Sequence, residues 1–208
     1  MGNLPNGNSD VSFNNFTEVP YIPYKIIKAM RESTSVEAEN FWKCLKYTTT
    51  DALDKPNLTE QEKKALIWKG NDSIEDDYQV FLKPLIGSQL TDAQSQTQLR
   101  LFRYGGTPTN RMESILLYEF DIIVNEKASM IYYNNILCAR DDVMEAMLLS
   151  VLNGRDIGIG QNYLRYDREL SRTCQSLTNI SNSKSFFGKS LVMGLLYKYP
   201  DLGGGCGV

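Results

Sequence analysis

Two stretches of the chain have the composition of a phosphate-binding loop. In LNGRDIGIG, from Leu152 to Gly160, the glycines are Gly154, Gly158 and Gly160. In FFGKSL, Gly188-Lys189-Ser190 imitates the end of a P-loop. Phosphate is bound by backbone N–H groups at a helix N-terminus, so the glycines must follow a strand and open a helix. Around Gly154 the order is reversed: a helical stripe comes first and an extended run, QNYLRYDREL, follows. In the second stretch the first P-loop glycine would fall at Ser183, and the residues that follow, LVMGLLYKYP, alternate like a strand. Neither stretch is expected to hold a nucleotide. Asn153 and Gly154 read instead as a helix stop, because glycine reaches positive φ at little cost.

The chain contains no histidine. That removes Ser–His and Cys–His nucleophile pairs, His-ligated zinc and the commonest general base. Cys44, Cys138, Cys174 and Cys206 are widely separated, with no CxxC, and read as free thiols of a reducing compartment. Among the carboxylates, Asp142 and Glu145 have the spacing of a helix capping box, with Asp141 beside them. Asp167 and Glu169 alternate with Tyr166 and Arg168 on a predicted strand and read as a solvated face. No spacing favours Ser–Lys catalysis. The expectation is a protein without catalytic, cofactor or metal sites, and not an enzyme.

The totals agree with a folded chain. It has 208 residues, of which 42% are hydrophobic and 23% charged, with a formal net charge of -3. That balance argues against a surface that coats nucleic acid, which needs clustered Lys and Arg. The polar start, MGNLPNGNSD, has no apolar core, so no secretion signal is expected, and the myristoylation and prenylation patterns fail. The longest apolar stretch, LVMGLLY, is too short to span a bilayer. A soluble cytosolic product is expected.

The elements follow from the hydrophobic period. YKIIKAMRE predicts a short helix with Ile26, Ile27 and Met30 on one stripe. Thr34 and Glu37 predict a capping box for a helix that buries Ala38, Phe41, Trp42 and Leu45. Thr59 and Glu62 predict a second box, for a helix running to Gly70. VFLKPLI is a short strand or an extended linker. Near residue 97 the period changes. TQLRLFRY and SILLYEFDIIVN flank a GGTPTN turn cluster, and Leu116, Tyr118, Phe120, Ile122 and Val124 share one face against Glu119, Asp121 and Asn125. EKASMIYYNNILCA is a long connection. DVMEAMLLSVLNG is a helix with Met144, Met147, Leu148, Val151 and Leu152 inward, and a closing strand runs through Leu191, Met193, Leu195, Tyr197 and Tyr199.

The expected fold class is α+β: a small mixed or antiparallel sheet with a helix across one face, preceded by a helical region. Residues 1–20 are expected as an extended arm, 21–96 as the helical region, 97–200 as an α+β assembly domain and 201–208 as a flexible Gly-rich tail. Twelve tyrosines accompany the long loops 104–113, 125–138 and 170–186. Tyrosine combines a large contact area with a polar tip and suits interfaces. Tyr132, Tyr133, Asn134, Tyr163 and Tyr166 are therefore candidate inter-subunit contacts of an assembly module. Two other classes stay open: a small α+β enzyme or binding protein acting through carboxylates, and an assembly adaptor outside any virion.

The stretches ILLYEFDIIVN, ARDDVMEAMLLSVLNGRDIGIGQNYLRYDREL and FFGKSLVMGLLYKYPDLG resemble, in their order of elements, the neck and tail-terminator proteins of tailed bacteriophages. The resemblance covers about half the chain and includes the aromatic-Gly step Phe187-Gly188. It implies a hairpin and two later strands in one sheet with a helix across it. It also implies a cyclic homo-oligomer in the virion, assembled in the host cytoplasm. Its partners would be the portal or connector and tail proteins, with DNA passing through the lumen unread.

Overall fold

The computed structural model describes residues 19–70, 78–84, 96–109, 113–156, 163–174 and 185–198. Of the expected arm over 1–20, residues 1–18 lie outside the described residues, as do the tail over 201–208, Gly158, Gly160, Tyr199 and Cys206, while Val19 and Pro20 are not extended but start a 3-10 helix that buries Val19.

The helices are Ile22–Glu32 (α1), Val36–Lys46 (α2), Glu60–Ala65 (α3), Arg140–Leu152 (α4) and Arg168–Cys174 (α5). The strands are Val80–Phe81 (β1), Thr97–Pro108 (β2), Glu113–Asn125 (β3), Met130–Tyr133 (β4), Ile136–Ala139 (β5), Leu164–Tyr166 (β6) and Phe186–Lys198 (β7). This is an α+β fold. One mixed sheet has the order β1-β2-β3-β7-β6, and β4 and β5 form a small sheet of their own. The two alternating runs become the long antiparallel pair β2–β3, with a bulge between Arg103 and Gly105. β7 pairs with β3 along its whole length, from Glu113↔Lys198 to Asn125↔Phe186.

Period-2 alternation puts Leu99, Leu101, Leu116, Tyr118, Phe120, Ile122, Leu191, Met193 and Leu195 on one face of the sheet. All are buried in a single core with Ile26, Ile27 and Met30 of α1, Phe41, Trp42 and Leu45 of α2, and Met144, Leu148 and Leu152 of α4. The early helices and the sheet therefore share one hydrophobic interior, although the period of the sequence divides them near residue 97. Each such side chain contributes roughly 2 kcal/mol by leaving water. The Trp42 indole donates to the Met30 carbonyl at 3.3 Å, so its burial leaves no polar atom stranded.

Several local expectations are corrected. Thr34 does not cap α2. The helix starts one residue later, and Ser35, in extended conformation, accepts from the Ala38 N–H at 3.2 Å. Asp142 does not cap α4 and Glu145 does not close a box there. Helical geometry starts at Arg140, the residue at the cap is Ala139, and Asp142 lies inside the first turn. α3 stops at Ala65 rather than Gly70, because the chain turns outward to bridge Ile67 with Val80. The extended run after Gly160 keeps only β6. Asp167 then accepts from the Leu170 N–H at 2.9 Å and α5 begins, so Asp167 and Glu169 are not on a strand. At α3, Thr59 and Glu62 form the reciprocal capping box. At the end of α4, Asn153 is the cap residue and Gly154 has φ +76°.

Candidate functional site

The segment 125–138 is not a loop. After a 3-10 turn over Glu126–Ala128, it folds into the β4–β5 hairpin, with Tyr132 opposite Leu137 and Tyr133 opposite Ile136. Asn134 and Asn135 have φ of 50° and 64°, the consecutive positive values that a tight hairpin turn needs and that asparagine tolerates best after glycine. Pleating sends Ile131 inward, where it is fully buried, and turns Met130, Tyr132 and Leu137 to the opposite face. Those three are exposed, as are Tyr133 and Ile136 at the tip, Ile136 at 66%. A two-stranded sheet of this size is marginal alone. It is held at its base.

The anchor is Arg140, the first residue of α4. Its side chain is completely buried. Nε donates to the Ala128 carbonyl at 2.6 Å, Nη1 to Tyr47 at 2.8 Å and Cys44 at 3.2 Å, and Nη2 to Thr49 at 2.8 Å. Burial pulls its pKa down, yet four carbonyls, some at the C-terminal end of α2 where the helix dipole is negative, solvate the cation. The Tyr132 N–H adds a bond to the Thr50 carbonyl at 2.8 Å. The hairpin is thus clamped between the end of α2 and the start of α4. Cys44 lies beside this clamp, and burial pushes its thiol up to about 12 against the pull of Arg140 and Lys43, so it stays neutral and unreactive.

The five candidate contact residues fall into two groups. Tyr132, Tyr133 and Asn134 sit together on the hairpin, at the N-terminal end of α4. Tyr163, half-exposed, bridges to Asp156, and Tyr166 packs partly against the core, with its N–H on the Asn153 Oδ1 at 3.0 Å. These two belong to the other end of α4, and a helix of that length puts the groups about 20 Å apart. Asn153 and Gly154 tie that end to β6, since the Gly154 N–H reaches the Leu164 carbonyl at 2.7 Å.

Asp142 and Glu145 have a different role from capping. Both bind Lys189, Glu145 at 2.8 Å, and so fasten α4 to β7. Burial opposes the Lys189 charge, but the two carboxylates together outweigh it and hold the ammonium above its usual range. The lysine of the P-loop imitation is thus an ion-pair partner in a strand.

The second face of the sheet carries a cluster that sequence reasoning missed. Asp121 is opposite Arg100 on β2 and Ser190 on β7, and Glu119 is two residues along on the same face. Arg100, Asp121 and Ser190 are buried, and Glu119 is partly buried. The Ser190 hydroxyl donates to the Asp121 Oδ1. Burial, then the Asp121 charge, then a hydrogen bond to Asp121 push Glu119 up to about 7, while Ser190 draws it slightly back. Asp121 is raised mainly by burial, with Ser190, Glu119 and Arg100 opposing. The side-chain alternation put Glu119 and Asp121 on one face. What it lacked was the register that sets Arg100 and Ser190 beside them. Chemically the group can hold and exchange a proton.

Among the described residues, no group of three His, Cys, Asp or Glu side chains could hold a metal ion, and no helix is long and apolar enough to cross a membrane. No curated protein and no solved structure matches the chain. One family model does, over residues 38–195, from the first turn of α2 to within β7. The chain belongs to the YomW family and is a phage-related protein.

Proposed function

We propose that this protein is a structural component of the phage particle. It forms a cyclic homo-oligomer at the neck, between portal and tail, as a head–tail joining or tail-terminator ring. The observation that carries the proposal is the β4–β5 hairpin, whose outer face presents Met130, Tyr132 and Leu137 to solvent on a base made rigid by Arg140. Contiguous exposed apolar side chains on a preorganised element mark a surface meant for protein contact. In a closed ring each subunit uses two different faces. The hairpin supplies one, and the Tyr163 end of α4 supplies the other. The phage-related family supports a place in the virion. Portal or connector and tail proteins are its neighbours, and it acts without catalysis. A net charge of -3 suits a wall that lets DNA pass without gripping it.

The test is the double variant Tyr132→Ser/Leu137→Ser, followed by light scattering and circular dichroism. Loss of the oligomer with an unchanged spectrum is expected. An oligomer of unchanged mass would remove the hairpin from the interface.

A further inference from the structure

The polar cluster on the second sheet face belongs to β2, β3 and β7 and not to the β4–β5 hairpin. Its placement is unusual. Glu119 and Asp121 point the same way from neighbouring positions of β3, a central strand with β2 and β7 on either side. Two carboxylates that close in a partly dry setting cannot both ionise cheaply. The groups facing them are Arg100 from β2 and Ser190 from β7. Arg100 offsets one negative charge and not two, and its own pKa is pulled down by burial. The Ser190 hydroxyl donates a hydrogen bond to Asp121, and burial beside the Asp121 charge makes Glu119 the carboxyl that keeps a proton.

We propose that Glu119 and Asp121 share one proton and act as a pH-sensitive latch across β3 and β7. With the proton in place, the chain Glu119–Asp121–Ser190 spans the two strands and Arg100 balances the remaining charge. When the proton leaves, two like charges face each other beside one guanidinium, and this face of the sheet loosens. In this arrangement the folded protein binds the proton more tightly than the unfolded chain does. The pair's stabilisation is therefore complete below the ordinary glutamate range, near 4.5, and is lost as pH rises towards about 7. Asp51 and Glu62, whose pKa values are lowered by hydrogen bonds to Lys55 and Thr59, act in the opposite sense at lower pH. Asp141, raised by burial, adds to the same trend as the pair, so the latch must be read as a difference between variants.

The experiment uses the full chain in two measurements. In the first, the side-chain carboxyl carbon of Glu119 is followed by NMR from pH 4 to 8. A midpoint near 7 is expected in the wild type, and a midpoint in the ordinary range would overturn the proposal. In the second, urea midpoints of wild type and Glu119→Gln are compared over the same range. The amide imitates the protonated acid. The variant should therefore lose less stability between pH 5 and 8 than the wild type, and equal losses would overturn the proposal. The NMR titration needs no substitution and decides the matter even if the variant does not fold.

Discussion

Gly188 lies so close to β3 that a Cβ built on it would fall 1.9 Å from the backbone carbonyl oxygen of Ile122. No side chain fits there without moving one of the two central strands. Gly188→Ala should therefore cost about 3 kcal/mol or prevent folding. Gly194, on the same strand, is the control. Its nearest neighbour would be an Ile115 methyl at 3.5 Å, so Gly194→Ala should shift the urea midpoint little. Equal effects at the two positions would contradict this reading of the β3–β7 contact.

Arg140 joins three parts of the chain through carbonyls alone. Arg140→Met keeps much of the buried stem but takes the guanidinium donor from four carbonyls, of which Thr49 still accepts from the Ala52 N–H. A loss of about 3 kcal/mol is expected. Hydrogen exchange should quicken first at Tyr132, whose N–H depends on the Thr50 carbonyl. Unchanged protection there would mean that the hairpin does not rely on the clamp.

The cap of α2 separates Ser35 from Thr34. Ser35→Ala should lose about 1 kcal/mol, and Thr34→Ala close to nothing. Thermal melts of the two variants decide which hydroxyl does the capping.

Gly154 tests backbone strain without steric crowding. A Cβ there would meet nothing within 4 Å, so any cost of Gly154→Ala comes from its φ of +76°. That cost should be on the order of 1 kcal/mol. A neutral result in urea unfolding would show that the backbone relaxes out of the left-handed region.

Most of the frame was legible in the residues, because period 3.6 and period 2 report directly which face is buried. Leu116 to Val124, Ala38 to Leu45 and Met144 to Leu152 all lie inward as their spacing implies. Three features were not legible, for separate reasons. The β4–β5 hairpin has an Asn-Asn turn without glycine and four-residue strands whose alternation is blurred by exposed Ile136 and Leu137. The start of α4 at Arg140 is hidden by Asp142 and Glu145, which have cap spacing two residues further on. Their actual partner, Lys189, is distant in sequence, and so are most of the carbonyls around Arg140. Alternation alone puts Glu119 and Asp121 on one face, but their neighbours Arg100 and Ser190 depend on strand register, and the bulge after Arg103 hides the part of it that places Arg100.

The proposed role in the virion is tested most directly by the mass and shape of the purified wild-type chain. Light scattering at increasing concentration, with negative-stain images of the same sample, reads both. A single closed ring with a central opening is expected, whether the chain assembles alone or after addition of portal or tail partner. A folded monomer that stays monomeric at high concentration, alone and with those partners, would contradict it.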